Sequence, residues 1–369
     1  MNPIESFRVF LGQRYAGLVL TLVVFIAGAI MLLVIPWLAY AVIFLGLLML
    51  IGLFVSGAQH MRLPPPVGVL YDVDGEQVHM LAEGKCDGTH PVIWVTGGHG
   101  EGLGMYHLHK GIRSETRSIL FDRTGSGWSD PARKPVTISG EVKKLKKLLD
   151  SAGEKGPFVL AGHSFGGLFC ANFAHHYPEL VAGVILLDST PPWNVAYVGR
   201  LSLGAVIRKA WWGALATHFG LQGFVEVEID DPESAHAREL SDVAEALNAN
   251  SVQPKSLLAE ASVFKSSMNN PLDLVIGKGD LGDIPLLLMS ANHTEEQQRE
   301  MREQLQTKLG LTELQTDNLL HGLRDSNDQQ VALSTRGRHM LMPEGSSHMF
   351  PYEYPELVLV EVQKMINPR

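Results

Sequence analysis

The stretch that most constrains this chain is Phe158–Gly167, which reads Phe-Val-Leu-Ala-Gly-His-Ser-Phe-Gly-Gly. Four apolar residues lead into the pattern Gly-x-Ser-x-Gly, and a helical pattern follows directly. A serine held in a sharp turn between a buried strand and a helix needs glycines at 162 and 166, because a Cβ there would clash. The dipole of the following helix favours negative charge beside the serine hydroxyl. The segment therefore predicts that Ser164 is a nucleophile at the end of a strand.

The N-terminal part of the chain holds its most apolar segments. The chain has 369 residues, of which 46% are hydrophobic, and residues 15–35 and 37–57 carry no charge. Each segment matches the roughly 20 residues that are needed to cross a bilayer. Pro36 separates them, and a proline favours a break between two helices. We therefore expect residues 1–62 to form a membrane anchor with two transmembrane helices, at about 15–35 and 37–57.

Arginines flank the two apolar segments and predict an orientation. Arg8 and Arg14 precede the first segment, Arg62 follows the second, and the turn between them has no Lys or Arg. Because positive charge favours the cytoplasmic side, both ends of the anchor are expected there. The sequence thus predicts a two-pass protein of the cell membrane, with the lipid bilayer as a partner and the catalytic domain facing the cytoplasm.

The charge balance excludes some partners. Residues 1–62 contain three arginines and one glutamate, and since the whole chain has a net charge of −9, the remainder is strongly acidic. An acidic domain is not attracted to the phosphates of nucleic acids, so we expect no nucleic-acid partner. No cluster of His, Cys, Asp or Glu has metal-ligand spacing, and no nucleotide-binding glycine motif is present. The sequence predicts neither a metal nor a cofactor.

Strand and helix patterns alternate after a short proline-rich linker that begins at Leu63, which predicts a mostly parallel α/β sheet. A long segment with helical patterning interrupts the alternation after Thr190 and is expected to form a cap over the carboxyl ends of the strands. The predicted units are a membrane anchor (1–62), the first part of the core (63–189), a helical cap (190–283) and the second part of the core (284–369).

Two neighbouring tryptophans in the predicted cap, Trp211 and Trp212, are candidate substrate-binding residues. They could line an apolar substrate pocket or lie at the membrane interface, since tryptophan is enriched there. Equally, both could pack within the core of the cap itself, and the sequence leaves these alternatives open.

A serine hydroxyl is a weak nucleophile until a base accepts its proton. The candidate base is His348, in the segment Gly-Ser-Ser-His-Met-Phe-Pro-Tyr. This segment follows the last predicted strand and precedes a closing helix predicted over 355–366. A histidine in a loop at that end of the sheet is typical of a catalytic base.

From about Val67 onward the chain resembles the α/β-hydrolase fold superfamily, especially its capped hydrolases. The resemblance rests on the turn Asp122–Ser129, the segment around Ser164, Leu187–Ser189 after the next strand, and the His348 loop. It implies an eight-stranded, mostly parallel sheet with helices on both faces and a helical cap, preceded here by the two predicted transmembrane helices. It also implies a catalytic triad in the order Ser, acid, His.

The acid of that triad departs from the commonest pattern of the superfamily. The pattern has an aspartate shortly after the strand predicted over 284–289, but residues 290–295 contain none. Asp188, at the end of the preceding strand, is the preferred candidate, and Glu295 is the alternative. Either carboxylate would hold the required tautomer of His348 and stabilise its imidazolium form.

An oxyanion hole needs two backbone N–H groups directed at the developing negative charge. Phe165, directly after the nucleophile, is expected to supply one of them. By resemblance, His99 in the glycine-rich segment 96–102 supplies the other. Glycines in this segment, Gly98 among them, would let the backbone approach the substrate closely, so Gly98 is a predicted substrate-binding residue.

The function that these features predict is that of a membrane-anchored serine hydrolase. It would cleave a lipid-like or other acyl ester through an acyl-enzyme, because a membrane anchor raises the local concentration of such substrates. An amidase or aminopeptidase of the proline-iminopeptidase type and an acyltransferase are alternatives that could use the same triad. A ligand-binding sensor on the same fold is an alternative outside the enzymes.

Overall fold

The computed structural model describes residues 3–11, 13, 15–32, 36–60, 64–98, 100–191, 207–219, 221, 235–251, 253–269 and 277–367. Its strands are β1 (Val69–Val73), β2 (Glu76–Glu83), β3 (Val92–Val95), β4 (Ser118–Phe121), β5 (Phe158–His163), β6 (Val181–Leu187), β7 (Leu286–Ser290) and β8 (Gly337–Leu341). Its helices are α1 (Pro3–Leu11), α2 (Ala16–Met31), α3 (Pro36–His60), α4 (Tyr106–Ile112), α5 (Ile138–Ala152), α6 (Phe165–His176), α7 (207–218), α8 (Ala235–Glu239), α9 (Ala244–Ser251), α10 (Pro254–Asn269), α11 (Glu295–Leu309), α12 (Glu313–Val331), α13 (Phe350–Glu353) and α14 (Pro355–Ile366).

The strands that the structure describes form one eight-stranded sheet in the order β1-β2-β4-β3-β5-β6-β7-β8. Strands β3 to β8 pair in parallel, whereas β1 and β2 form an antiparallel hairpin at one edge. Asp74 and Gly75 both have positive φ in the hairpin turn, as a type I′ turn requires. The predicted mostly parallel eight-stranded sheet is confirmed.

The central strands are apolar along their whole length because helices cover both faces of the sheet. In β3, Ile93 and Val95 pack with α5 and α6 on one face, whereas Val92 and Trp94 pack with α4 and α14 on the other. All four residues are at most 2% exposed. This two-sided core fixes the strand ends on which the candidate site is built.

Parallel pairing places several candidate residues at the same edge of the sheet. His163 at the end of β5 is in register with Leu187 at the end of β6, and Leu187 is in register with Met289 of β7. The residues that directly follow β5 and β6, Ser164 and Asp188, therefore lie next to each other. Ligands of open α/β sheets bind at this carboxyl edge.

Helices α2 and α3 pack against each other through glycines. A Cβ on Gly28 would lie 2.8 Å from the Ile43 side chain, and a Cβ on Gly46 would lie 3.0 Å from Phe25. The close approach turns large apolar side chains outward; those at least half exposed include Leu18, Leu22, Val23, Ile26, Ile30, Tyr40, Phe44, Leu45, Ile51 and Phe54. The hairpin therefore presents an apolar surface to its surroundings.

The expectation of two transmembrane spans is not confirmed. In the part of the chain that the structure describes, no helix combines the length and apolarity needed to cross a membrane. Helix α2 has 16 residues, which at about 1.5 Å per residue is shorter than the hydrocarbon core of a typical bilayer. Arg14 and Arg62, on which the predicted orientation partly rests, lie outside the described residues.

The N-terminal helices contact the predicted cap. His218 in α7 lies with Nε2 2.8 Å from the carbonyl oxygen of Leu11, and the ring of Trp211 lies 5.6 Å from that of Phe7. A Cβ on Gly17 would lie 3.1 Å from the Cβ of His218. Helices α1 and α2 thus pack directly against α7.

Candidate active site

Ser164 lies at the turn between β5 and α6, as predicted. Its backbone has φ 52° and ψ −121°, which residues with a side chain rarely adopt. A Cβ on Gly162 would lie 2.4 Å from the carbonyl oxygen of Gly166, and one on Gly166 would lie 2.3 Å from that of Val95. Both glycines are therefore sterically required. Because Ser164 directly precedes α6, it lies at the N-terminal end of that helix, where the first N–H groups have no acceptor one turn earlier in the helix.

The hydroxyl of Ser164 lies close to a residue that the sequence did not single out. Ser164 Oγ is 3.5 Å from Thr190 Oγ1, and the N–H of Thr190 donates to the Ser164 carbonyl oxygen at 3.0 Å. Thr190 lies a few residues after the end of β6, and it belongs to none of the sequence motifs described above. The described contacts of Ser164 Oγ do not include His348; a catalytic hydrogen bond is often long without substrate.

Asp188 and His348 are paired at this edge of the sheet. Asp188 Oδ2 lies 2.6 Å from His348 Nδ1, and Asp188 Oδ1 accepts from the N–H of Ala291 at 3.0 Å. Burial alone would raise the pKa of Asp188, but the hydrogen bond and charge of His348 outweigh it, so this pKa lies below its usual value. An ionised carboxylate can only accept, so His348 carries its proton on Nδ1. This leaves Nε2 available as a base.

The alternative acid, Glu295, lies away from this pair. It is the exposed first residue of α11, directly after the N-cap residue Thr294. A carboxylate in the first turn interacts favourably with the helix dipole, which accounts for its position. Among the described residues, the carboxylate that contacts the His348 side chain is that of Asp188.

His163, the residue before the nucleophile, contacts the His348 loop. His163 Nε2 lies 2.8 Å from the carbonyl oxygen of His348, and the two imidazole rings are 4.6 Å apart. His163 is itself buried. Its contact with His348 could not be read from the sequence, because the two residues are 185 positions apart.

The predicted oxyanion loop approaches the nucleophile. A Cβ on Gly97 would lie 3.1 Å from Ser164 Cβ, and Gly98 has a φ of 54° that favours glycine. His99, the predicted donor, lies outside the described residues. Within the described part of the chain, the N–H groups of Gly98 and Phe165 have no acceptor, so both are available to a ligand.

A buried turn after β4 holds both ends of this loop. Asp122 Oδ1 accepts from the N–H of Gly102 at 2.7 Å. Arg123 Nη2 donates to the carbonyl oxygens of Thr96 at 3.1 Å and Gly100 at 3.4 Å. Burial lowers the pKa of Arg123 to about 10, and it remains a cation at neutral pH. The turn that contributed to the family resemblance thus supports the oxyanion loop.

The two cap tryptophans lie in different environments. Trp211 packs against Phe7 and belongs to an apolar cluster with Leu11 and Leu258. Trp212 is 70% exposed. The described contacts of Trp211 are therefore with the N-terminal helices as well as with the predicted cap, so it does not pack in the core of the cap alone.

Among the described residues, no group of three or more His, Cys, Asp or Glu side chains is arranged to hold a metal ion. The chemistry that this site offers is that of a hydroxyl, an imidazole–carboxylate pair and free N–H groups.

Comparison with known proteins supports the fold. Residues 90–210 match the sequence pattern of a family described as alpha/beta hydrolase fold. This range contains Ser164 and Asp188 and ends before His348.

Several curated proteins are similar over part of this chain. YbdG of Bacillus subtilis, described as uncharacterized, is 26% identical over 175 residues, which is 47% of this chain and 53% of that protein. The lipase LipV of Mycobacterium tuberculosis is 45% identical over 67 residues, or 18% of this chain and 25% of LipV. An uncharacterized vacuolar membrane protein of Saccharomyces cerevisiae is 35% identical over 86 residues, or 23% of this chain and 13% of that protein. The chain therefore spans about half the length of YbdG and smaller shares of the other two.

A solved epoxide hydrolase from Bacillus megaterium has a TM-score of 0.55 with this chain at 13% identity, covering 81% of this chain and 100% of that one. At this identity the likeness concerns the fold alone. Together with the order of the strands and the matching family pattern, it shows that the chain has the α/β-hydrolase fold.

Proposed function

We propose that this protein is a serine hydrolase that cleaves a carboxylic ester through Ser164, His348 and Asp188. The observation that carries the proposal is the 2.6 Å contact between His348 Nδ1 and Asp188 Oδ2 at the strand ends beside Ser164. A nucleophile in a strained turn, a base and an acid that orients the base make up the arrangement that acyl transfer requires.

In this mechanism His348 Nε2 accepts the proton of Ser164 Oγ while Oγ attacks the carbonyl carbon of the ester. The resulting oxyanion receives hydrogen bonds from the N–H groups of Phe165 and Gly98, and His99 remains the proposed alternative to Gly98. His348 then gives its proton to the leaving alcohol, and an acyl-enzyme remains. A water molecule, deprotonated by His348, releases the acid and restores Ser164. Throughout, Asp188 stabilises the imidazolium form of His348.

The substrate class that we propose is a lipid-like ester at a membrane surface. The support is the apolar outer surface of α2 and α3, which includes Ile26 at 60% and Phe44 at 61% exposed, together with Trp212 at 70%. Such side chains favour an apolar environment over water. A yeast relative over part of the chain is described as a vacuolar membrane protein, and LipV is named a lipase.

The test of the nucleophile is labelling with a fluorophosphonate probe, comparing the full-length wild-type chain with Ser164→Ala. We expect the wild type to be labelled at one site and the variant to remain unlabelled. A folded wild type that does not react would contradict the proposal and would favour the sensor. Ester, thioester and amide substrates with the same acyl group then separate an esterase from an amidase, and added alcohol acceptors reveal acyl transfer.

The membrane proposal has its own test. Vesicle flotation of the wild type is compared with a variant in which Leu22, Ile26, Phe44 and Ile51 are all changed to Ser. We expect the wild type to float with neutral phosphatidylcholine vesicles and the variant to float less, with a smaller preference for long acyl chains. If both float equally and acyl length has no effect on rate, the lipid-like substrate class is wrong.

A further inference from the structure

A lysine from the cap helix α10 enters the turn that supports the oxyanion loop. Lys255 Nζ donates to the carbonyl oxygens of Gly127 at 2.6 Å and Ser129 at 2.7 Å. The residue is only 5% exposed. Lys255 therefore joins α10 to the turn 122–129.

The neighbouring residues of α10 fit the same turn closely. Ser256 Oγ donates to the carbonyl oxygen of Gly125 at 3.1 Å. A Cβ on Gly125 would lie 2.7 Å from Ala259 Cβ, and the φ of 83° at Gly125 also favours glycine. The turn is thus shaped to receive this helix, so a displacement of α10 would displace the turn.

The polar groups around Lys255 compensate for the burial of its side-chain nitrogen. Burying an isolated cation is unfavourable unless partners compensate for it. Burial, and secondly the charge of Asp122, raise the pKa of Glu101 well above its usual value, whereas the charge of Lys255 acts in the opposite direction. Asp122 also contacts His79 Nδ1 at 2.7 Å. The carbonyl oxygens of Gly127 and Ser129 accept from Nζ and so compensate part of the cost of burying Lys255.

The same turn holds the oxyanion loop, through Asp122 to Gly102 and through Arg123 to Thr96 and Gly100. We propose that Lys255 is a positioning residue for the oxyanion hole: it fixes the turn, and through the turn it fixes the loop that carries the N–H of Gly98. This inference rests on the proposed function of Ser164. If Lys255 has this role, the full catalytic rate depends on the position of the cap helix α10 against the turn 122–129.

The expected size of the effect follows from the geometry of catalysis. A misplacement of about 1 Å caused by a mutation away from the chemistry can lower a rate about 10²-fold. The loss should fall on kcat rather than on KM, because an oxyanion hole acts in the transition state and contributes little to binding the ground state.

The test is Lys255→Met, which keeps the volume of the side chain and removes its charge and donors. The matched control is Lys110→Met, because Lys110 also joins core to cap, through Asp242 at 2.5 Å, but on the exposed surface. For both variants, kcat and KM are measured with a soluble short-chain ester. The number of active sites is counted from the endpoint of fluorophosphonate labelling. The midpoint of thermal unfolding is measured as well.

For Lys255→Met we expect kcat per labelled site to fall about 10- to 100-fold with little change in KM, whereas Lys110→Met keeps the wild-type kcat. Lys255→Arg, which retains charge and donors, should recover part of the loss. A purely structural role would lower the thermal midpoint and the number of active sites while leaving kcat per site unchanged, and that result would overturn the inference.

If Lys255→Met gives no folded protein, Ser256→Ala removes the hydrogen bond from α10 to Gly125, together with the contact of the same hydroxyl to the carbonyl oxygen of Asn250 at 3.2 Å. A decrease of about threefold in kcat per site is then expected, which corresponds to less than 1 kcal/mol, and an unchanged kcat would refute the coupling. A wild type that does not label at all would instead refute the role of Ser164, and with it both proposals.

Discussion

At the scale of single residues, the pair formed by Asp188 and His348 leads to a prediction about the acid. Asp188→Asn keeps the shape of the side chain but removes the charge that fixes the His348 tautomer. We expect kcat to fall by as much as about 10⁴-fold, as is typical when the carboxylate of such a triad is replaced. Glu295→Gln is the matched control and should retain wild-type activity, because Glu295 is exposed at the start of α11. Ester hydrolysis by the two variants measures this directly, and the opposite ranking would assign the role to Glu295.

His163 gives a second prediction at this scale. Its Nε2 contacts the carbonyl oxygen of His348 at 2.8 Å, so His163→Phe should keep the ring packing but loosen the His348 loop. We expect kcat to fall about tenfold, since this equals the roughly 1.4 kcal/mol contributed by one buried hydrogen bond. His163→Gln can still donate to the carbonyl oxygen and should recover much of the rate. Equal activity of His163→Phe and the wild type would show that the contact has no catalytic consequence.

At the scale of structural elements, the turn between β5 and α6 depends on glycine for steric reasons alone. A Cβ on Gly162 would meet the carbonyl of Gly166 at 2.4 Å and Cys170 Sγ at 2.7 Å. We expect Gly162→Ala to lose activity and most of its soluble yield. The control is Gly153→Ala at the end of α5, where φ is 71° and nothing lies within 4 Å. It should fold and lose about 1 to 2 kcal/mol of stability. Chemical denaturation and soluble yield distinguish the two; a stable, active Gly162→Ala would refute the steric argument.

At the scale of the whole molecule, the buried carboxyl of Glu101 makes stability depend on pH. Its pKa is raised well above the usual value, so the folded chain holds a proton that the unfolded chain releases above about pH 4.3. The stabilisation from this proton is complete below that pH and is lost as pH rises towards the folded pKa, at about 1.4 kcal/mol per pH unit. The contribution of Glu101 to the stability of the wild type should therefore decline across this range.

Glu101→Gln cannot titrate, so its stability relative to that of the wild type should increase as pH rises above about 4.3. Urea denaturation of both proteins at several pH values measures the difference. Glu300→Gln, a change at an exposed residue of α11, is the control and should follow the wild type. Parallel pH curves for Glu101→Gln and the wild type would show that Glu101 is ionised in the folded chain.

Much of the fold could be predicted because its signals are local. The apolar runs that became β3, β4 and β5, the type I′ turn at Asp74 and Gly75, and the closing helix α14 are each encoded within a few residues. The predicted transmembrane spans show the limit of such signals. An apolar segment indicates only that its side chains avoid water, and it does not show what they pack against instead. In the structure, α1 and α2 pack against α7.

The parallel α/β sheet, the strained turn at Ser164 and the position of His348 after the last strand follow from the order of the residues, because local geometry and hydrophobicity dictate them. That Asp188 rather than Glu295 contacts His348 follows from the folded chain, since it depends on which strand ends are neighbours in the sheet. The same holds for the support of the oxyanion loop by Arg123 and, through the turn, by Lys255. Those contacts join residues that are 27 and 128 positions apart. The periodicity of apolar residues predicts helices and strands, but it does not predict which distant segments pack together.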